Sequence, residues 1–426
     1  MRIPLNQQTA SQLAMQLSRR EIHAEQLVQA CLERIASREP DVQAWSYLAG
    51  DAALARAREL DRGAVKGLLH GLPIAVKDLF DTFDMPTTYG SSIYVNHQPA
   101  ADASSVALSR QAGGIMLGKT VSTEFATFHP GPTRNPHNLL HTPGGSSSGS
   151  AAAVADYMVP LGFASQTAAS VIRPAAFCGV VGYKPSFGLI NRSGVKALSD
   201  SLDTLGFLAR SVDDVALFAA ALTEDRALMQ LEISSTPRIA ICYTHEWEYA
   251  DADTQKAMQH AAMALAKNGI NPRELTLPPI FAQLLQAQKE IMAFDLARSL
   301  AHERRCHADE LSLKIKDLLA SGDQISLERH HANCQLAQNA KALLFHAFGE
   351  HEVLLVPSAI GEAPATLKET GDPVFGRVWT LLGCPCVHLP FHKGRSGLPV
   401  GLQVVGRHGE DRVVLRIAKW LAERLQ

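Results

Sequence analysis

Gly71-Leu72-Pro73-Ile74-Ala75-Val76-Lys77-Asp78 is a short apolar run that ends on a lysine. Its middle shows no polar alternation, so it reads as a strand covered on both faces. Similar short runs recur at Ile115-Met116-Leu117, Ile239-Ala240-Ile241, Val353-Leu354-Leu355-Val356 and Leu402-Gln403-Val404-Val405. Helical patterns lie between them. Residues 24 to 36 place Val28, Cys31, Leu32 and Ile35 on one face, and residues 251 to 267 form a second amphipathic helix stopped by Asn268-Gly269. Helices alternating with short buried strands predict an α/β fold with a central mixed, largely parallel sheet covered by helices. Residues 278 to 348 break the rhythm with two long polar helical patterns and no strand between them. They predict a helical insertion that covers one end of the sheet.

No Pro/Gly/Ser-rich linker or charge block divides the 426 residues, so 1–426 reads as a single large domain. Forty Lys+Arg against 42 Asp+Glu leave a net charge of -2, without a long single-sign run, which argues against a nucleic-acid or membrane partner. The opening Met1-Arg2-Ile3-Pro4-Leu5-Asn6-Gln7 lacks an apolar signal core, and a cytoplasmic location is expected. Seven cysteines scattered in apolar surroundings suit reduced thiols better than a disulfide framework. Cys384 and Cys386 do not form a CxxC pair and read as core. The 17 histidines include no HExxH arrangement and no Cys/His cluster, so neither a metal nor an organic cofactor is expected.

Three glycine- or serine-rich segments compete as functional loops. Gly113 to Thr120 fits a phosphate-loop pattern, but the strand-like Ile115-Met116-Leu117 occupies the part that has to be a flexible loop, which argues against nucleotide binding. Gly145-Ser146-Ser147-Ser148-Gly149 fits a nucleophile elbow with Ser147 as nucleophile, yet the turn His141-Thr142-Pro143-Gly144 stands where the elbow needs a buried strand. The segment also runs straight into the helix-forming Ala151-Ala152-Ala153-Val154-Ala155, unlike a flexible linker. A loop rich in N–H groups at a helix start suits an anion or a hydroxyl. The third segment, Gln166-Thr167-Ala168-Ala169-Ser170-Val171-Ile172-Arg173-Pro174, reads by itself as a buried helix. Lys77 changes its weight: a lysine at a strand end either snorkels to water or is desolvated, and in the second case its pKa falls and it can serve as a base.

Lys77, the loop Gly144-Gly145-Ser146-Ser147-Ser148-Gly149-Ser150 and Ser170 together resemble the amidase signature family. The C-terminal Gly383-Cys384-Pro385 and Gly397-Leu398-Pro399-Val400-Gly401-Leu402-Gln403 extend the resemblance over almost the whole chain, with a signature core at about 66–222. Within the family, Ser148, Gln166-Thr167, Ser170-Val171-Ile172-Arg173-Pro174 and Thr370-Gly371-Asp372-Pro373 resemble the bacterial malonamidases. The resemblance implies an amidase with a Ser-cis-Ser-Lys triad of Ser170, Ser146 and Lys77, the peptide before Ser146 being cis. It also implies an oxyanion hole from the backbone N–H groups of Thr167, Ala168, Ala169 and Ser170. Arg173 and Ser147 are implied as substrate contacts, Arg173 by forking onto a carboxylate. An arginine at a helix start can equally cap neighbouring carbonyls.

Two departures from the family pattern stand out. Most members have Gly-Gly where this chain has Ala168-Ala169, and a positive φ at either alanine would cost about 1–2 kcal/mol. Most also carry an Asp and an Arg at the positions of Gln166 and Ile172. The expected reaction is hydrolysis of a small amide such as the monoamide of a short dicarboxylic acid, the partner being that small-molecule substrate and the chain being allowed to form a homodimer. An amidotransferase subunit that works with partner subunits, and a non-catalytic amide-binding protein, are the competing readings.

Overall fold

The computed structural model describes residues 3–425, so the first two residues of the Met1–Gln7 stretch and the last residue of the chain lie outside it. Eleven strands form one sheet: β1 (Trp45–Leu48), β2 (Pro73–Lys77), β3 (Ile115–Thr120), β4 (Leu161–Gln166), β5 (Val181–Lys184), β6 (Thr204–Ala209), β7 (Ile239–Ile241), β8 (Arg273–Glu274), β9 (Val353–Pro357), β10 (Cys386–Lys393) and β11 (Pro399–Val405). Their spatial order is β1-β3-β2-β4-β6-β5-β10-β11-β9-β7-β8. Parallel ladders join β3 to β2 and β2 to β4 on one side, and β9 to β7 and β7 to β8 on the other. Antiparallel ladders carry the sheet between these blocks, from β4 through β6, β5, β10 and β11 to β9. The architecture is therefore a single-domain α/β fold with a mixed sheet flanked by helices.

The apolar runs read from the sequence become β2, β3, β7, β9 and β11. Each position of β2, β3, β4 and β6 is buried, which explains why these strands show no alternation of polar and apolar residues: helices shield both faces. On one face, Phe163 of β4 and Phe207 of β6 each set their rings 4.7 Å from Phe218 of the helix Val212–Thr223. Tilted aromatic contacts of this kind contribute about 0.5–1.5 kcal/mol each beyond area burial and hold β4 at a fixed height. The phosphate-loop-like segment is strand β3. Its Lys119 points into the core, where Nζ donates to Phe80 O at 2.6 Å and Thr87 Oγ1 at 2.7 Å.

Residues 278–348 hold the helices Leu284–Ser299, Ala301–Cys306, Leu313–Asp323 and Leu327–Ala347 and no strand. Leu284–Ser299 packs against the helix Val374–Leu381 and reaches the loop after β4. All seven cysteines are free, and Cys384 and Cys386 are buried. No helix is long and apolar enough to cross a membrane among the described residues.

Candidate active site

Strands β2 and β4 run parallel, with Ile74 opposite Leu161 and Ala75 opposite Gly162, so Lys77 and Ser165 emerge at the same end of the sheet. Lys77 has no exposed surface, and its Nζ lies 2.7 Å from Ser146 Oγ and 2.9 Å from Ser165 Oγ. Burial drives its pKa well below the ordinary lysine value, while the charge of Asp203 pulls the other way. Burial wins because no carboxylate among the described residues reaches the amine; its close partners are two neutral hydroxyls. A neutral amine held 2.7 Å from a hydroxyl is placed to take a proton from it.

The glycine-serine loop delivers Ser146 to that amine. The Gly145–Ser146 peptide is cis. Ser148 Oγ donates to Gly144 O at 2.8 Å, and Thr123 N–H donates to Ser146 O at 3.2 Å. Close approach explains two of the glycines. Gly144 has φ +82°, and a Cβ there would lie 2.9 Å from Pro174 Cα. A Cβ on Gly149 would collide with Ala44 O. Ser147, expected to touch substrate, is fully buried and turns its hydroxyl to the main chain of Ser165, 3.4 Å away.

The segment after β4 is a loop leading into the helix Ile172–Cys178. Ser170 on this loop lines a narrow pocket together with Thr167, Ala168, Arg173, Phe128 and Met292. A Ser146–Ser170 hydrogen bond is absent among the described residues, and Ser170 keeps some exposed surface toward the cavity. Relay contacts of this type are often long before substrate binds. The N–H groups of Ala168, Ala169 and Ser170 likewise have no acceptor among the described residues, which leaves them free for an incoming oxygen.

Neither Ala168 nor Ala169 has a positive φ, so the strain expected where the family carries Gly-Gly does not arise. Room for the methyl groups comes from Gly376 instead: a Cβ there would lie 2.5 Å from Ala169 Cβ and 2.9 Å from Ala168 O. Gly376→Ala is expected to lower the rate of amide turnover by about 10-fold or more. The gain in helix propensity, about 0.5–1 kcal/mol, cannot offset a methyl pressed into a backbone. A variant with unchanged kinetics and unchanged thermal unfolding would show that the helix Val374–Leu381 can retreat.

Arg173 is buried, and its guanidinium caps carbonyls. Nη1 donates to Gly371 O at 2.5 Å, and Nη2 donates to Gly145 O at 2.7 Å and Thr370 Oγ1 at 3.2 Å. It thereby ties the loop before Ser146 to residues 370–371. Its Nε is buried without a partner among the described residues, and burial, with the charge of Arg377 adding, lowers its pKa to about 9. Gln166 takes no part in an ion pair; its Oε1 accepts from Val171 N at 2.9 Å and Ile172 N at 3.1 Å.

Several neighbours escaped the sequence reading. Ser165 carried a signal, a hydroxyl near the end of an apolar strand as Lys77 is an amine at the end of another. Asp203 accepts from Thr167 Oγ1 at 2.5 Å and from the N–H groups of Leu198 and Ser199. Gln288, Met292 and Leu296 come from the inserted helix Leu284–Ser299, and nothing in their local pattern announces it.

The amidase family model matches residues 26–415. A glutamyl-tRNA(Gln) amidotransferase subunit from Geotalea daltonii is 31% identical over 96% of this chain and 96% of its own length. Among solved structures, one described as an amidase superposes with a TM-score of 0.90 at 29% identity, covering 98% of this chain and 100% of that one. Peptide amidase from Stenotrophomonas maltophilia superposes with a TM-score of 0.84 at 27% identity, covering 99% and 98% of the two chains. The family model and the relatives cover nearly the whole chain, and this chain belongs to the amidase signature family.

Proposed function

We propose that this enzyme hydrolyses the C–N bond of a small amide through an acyl-enzyme on Ser170. Ser170 Oγ attacks the amide carbon while its proton passes to Ser146 and that of Ser146 passes to neutral Lys77. The carbonyl oxygen gains its charge beside the free N–H groups of Ala168, Ala169 and Ser170, with Thr167 opening the loop. Each such donor is typically worth roughly 2.7–4 kcal/mol to the transition state. The C–N bond then breaks, the relay returns a proton to the departing nitrogen, and water releases the carboxylate by the same route. The observation that carries this reading is the buried 2.7 Å pairing of Lys77 Nζ with Ser146 Oγ, together with Ser170 lining a pocket of its own loop. A fluorophosphonate probe tests it: labelling confined to Ser170 is expected, and an unlabelled, inactive protein would favour an amide-binding role.

Carboxylate-bearing amides such as malonamate are the preferred substrates in this proposal. Support comes from the malonamidase-like run around Arg173 and from its unpartnered, buried Nε at the cavity. Arg173→Ala is expected to slow all amides, because the tie to Gly145 O is lost, and to cost malonamate on the order of 10-fold more than propionamide. Equal losses would leave Arg173 as a structural tie and remove the carboxylate from the substrate.

The curated relatives favour one second reading, a component of an amidotransferase complex, since glutamyl-tRNA(Gln) amidotransferase subunits match almost the full length of the chain. Ammonia release from small amides by the purified chain alone decides between the two. Turnover that appears only with added partner subunits would select the second.

A further inference from the structure

We infer that Gln288 and Thr380 are positioning residues that aim the oxyanion loop by fixing the carbonyl sides of its successive peptides. The inference rests on the reading of Ser170 as nucleophile and of the neighbouring N–H groups as oxyanion donors. In a planar trans peptide the C=O and the following N–H point in opposite directions, so whatever holds the carbonyl aims the N–H. Gln288 Nε2 donates to Thr167 O at 2.9 Å, which directs the N–H of Ala168 the other way. Thr380 Oγ1 donates to Ala168 O at 2.7 Å, which directs the N–H of Ala169. Arg173 N–H donates to Ala169 O at 2.8 Å, which directs the N–H of Ser170. Three consecutive planes are thus held from behind, and their N–H groups are the ones left without acceptors.

The donor assignments follow from the surrounding bonds. A glutamine amide can be turned either way until its partners decide. Arg377 Nη1 can only donate, and it meets Gln288 Oε1 at 2.5 Å, so Nε2 of Gln288 has to face Thr167 O. Gln166 is settled likewise, because its Oε1 accepts two backbone N–H groups while its Nε2 donates to Thr380 Oγ1 at 2.9 Å. Thr380 therefore accepts from Gln166 and has one proton to give, the nearer acceptor being Ala168 O at 2.7 Å rather than Gly376 O at 3.0 Å. Gln166, Gln288, Thr380 and Arg377 are all buried, where such bonds are strong and their loss is costly. One support comes from the inserted helix and the other from the helix Val374–Leu381, so two segments distant from the serines in sequence set the electrostatics at the reacting carbon.

The test measures kcat, KM and the inhibition constant of a small boronic acid, which adds to Ser170 as a tetrahedral adduct, in Thr380→Val, Thr380→Ser and Gln288→Glu. Glutamate at 288 retains the contact to Arg377 but sets an acceptor against Thr167 O. Thr380→Val and Gln288→Glu are expected to lose on the order of 10-fold to 10²-fold in kcat, less than the loss of an oxyanion donor itself. KM should change little, boronate affinity should fall in step with kcat/KM, and the pH profile should keep its position. Thr380→Ser should retain most of the activity. Folded variants with wild-type kcat and boronate affinity would overturn the inference, as would a loss expressed in KM alone. If Thr380→Val fails to fold, Gln288→Glu on the other helix carries the same expectations. Full activity in Ser170→Ala, or a wild type indifferent to boronate, would instead bring down the oxyanion reading beneath it.

Discussion

Replacing Ser170 with alanine is expected to lower amide hydrolysis by on the order of 10⁴-fold to 10⁶-fold, the scale on which serine hydrolases lose activity with their nucleophile. The fold should survive, because Ser170 sits on a loop facing the cavity rather than inside the sheet. Ser146→Ala should come close to the same loss, since it cuts the path from Ser170 to Lys77. The informative quantity is the double variant Lys77→Ala with Ser146→Ala. Members of one proton relay act as a unit, so the pair should be little worse than the worse single change. Single-turnover kinetics on the purified variants provide the measurement. Losses that simply multiply would mean that Lys77 and Ser146 serve different steps, and undiminished turnover in Ser170→Ala would move the nucleophile elsewhere.

Lys77→Met should abolish most activity yet leave the protein more resistant to thermal unfolding at neutral pH. Burial holds the Lys77 pKa well below its ordinary value of about 10.4, so the unfolded chain binds a proton there that the folded chain does not. Stability therefore rises with pH between the folded and unfolded pKa values, and below that window the buried lysine is a standing cost. A methionine of similar length fills the space without a charge to desolvate and removes that cost. Turnover by the native enzyme should rise with pH through the same folded pKa, because only the neutral amine accepts a proton from Ser146. Thermal melts at several pH values and a pH–rate profile check both halves. A methionine variant that melts lower at neutral pH, or a rate governed by a group titrating near pH 6, would contradict the neutral-lysine account.

Much of the site could be read locally because its chemistry is concentrated in short segments. Lys77 ends an apolar strand, Ser146 lies in a loop whose glycines permit close backbone contact, and Ser170 precedes a buried helix. Each is legible within about ten residues, and the structure brings Lys77 and Ser146 within 2.7 Å. The α/β class was legible for a similar reason, since strands shielded on both faces have to be apolar throughout. Strand order and the antiparallel centre of the sheet were not legible, because ladder direction depends on which distant strands meet rather than on any one strand's composition.

Long-range contacts determined everything else. The link from Arg377 to Gln288 spans 89 residues and that from Gln288 to Thr167 spans 121, and a sequence window sees two ordinary polar residues on helices. Arg173 was recognisable as important, but only the tertiary structure put its guanidinium on Gly145 O and Gly371 O, because those carbonyls arrive from other loops. Ala168-Ala169 looked strained against the family's glycines until the helix Val374–Leu381 offered Gly376 opposite them. The sequence by itself determined the buried strands and pointed to the candidate reactive groups, Lys77 at a strand end and Ser146 and Ser170 on loops, since apolar shielding and a strand-end lysine are local properties. Their orientation and solvent exclusion were decided by tertiary structure, because hydrogen-bond direction and burial belong to pairs of segments and not to either one alone.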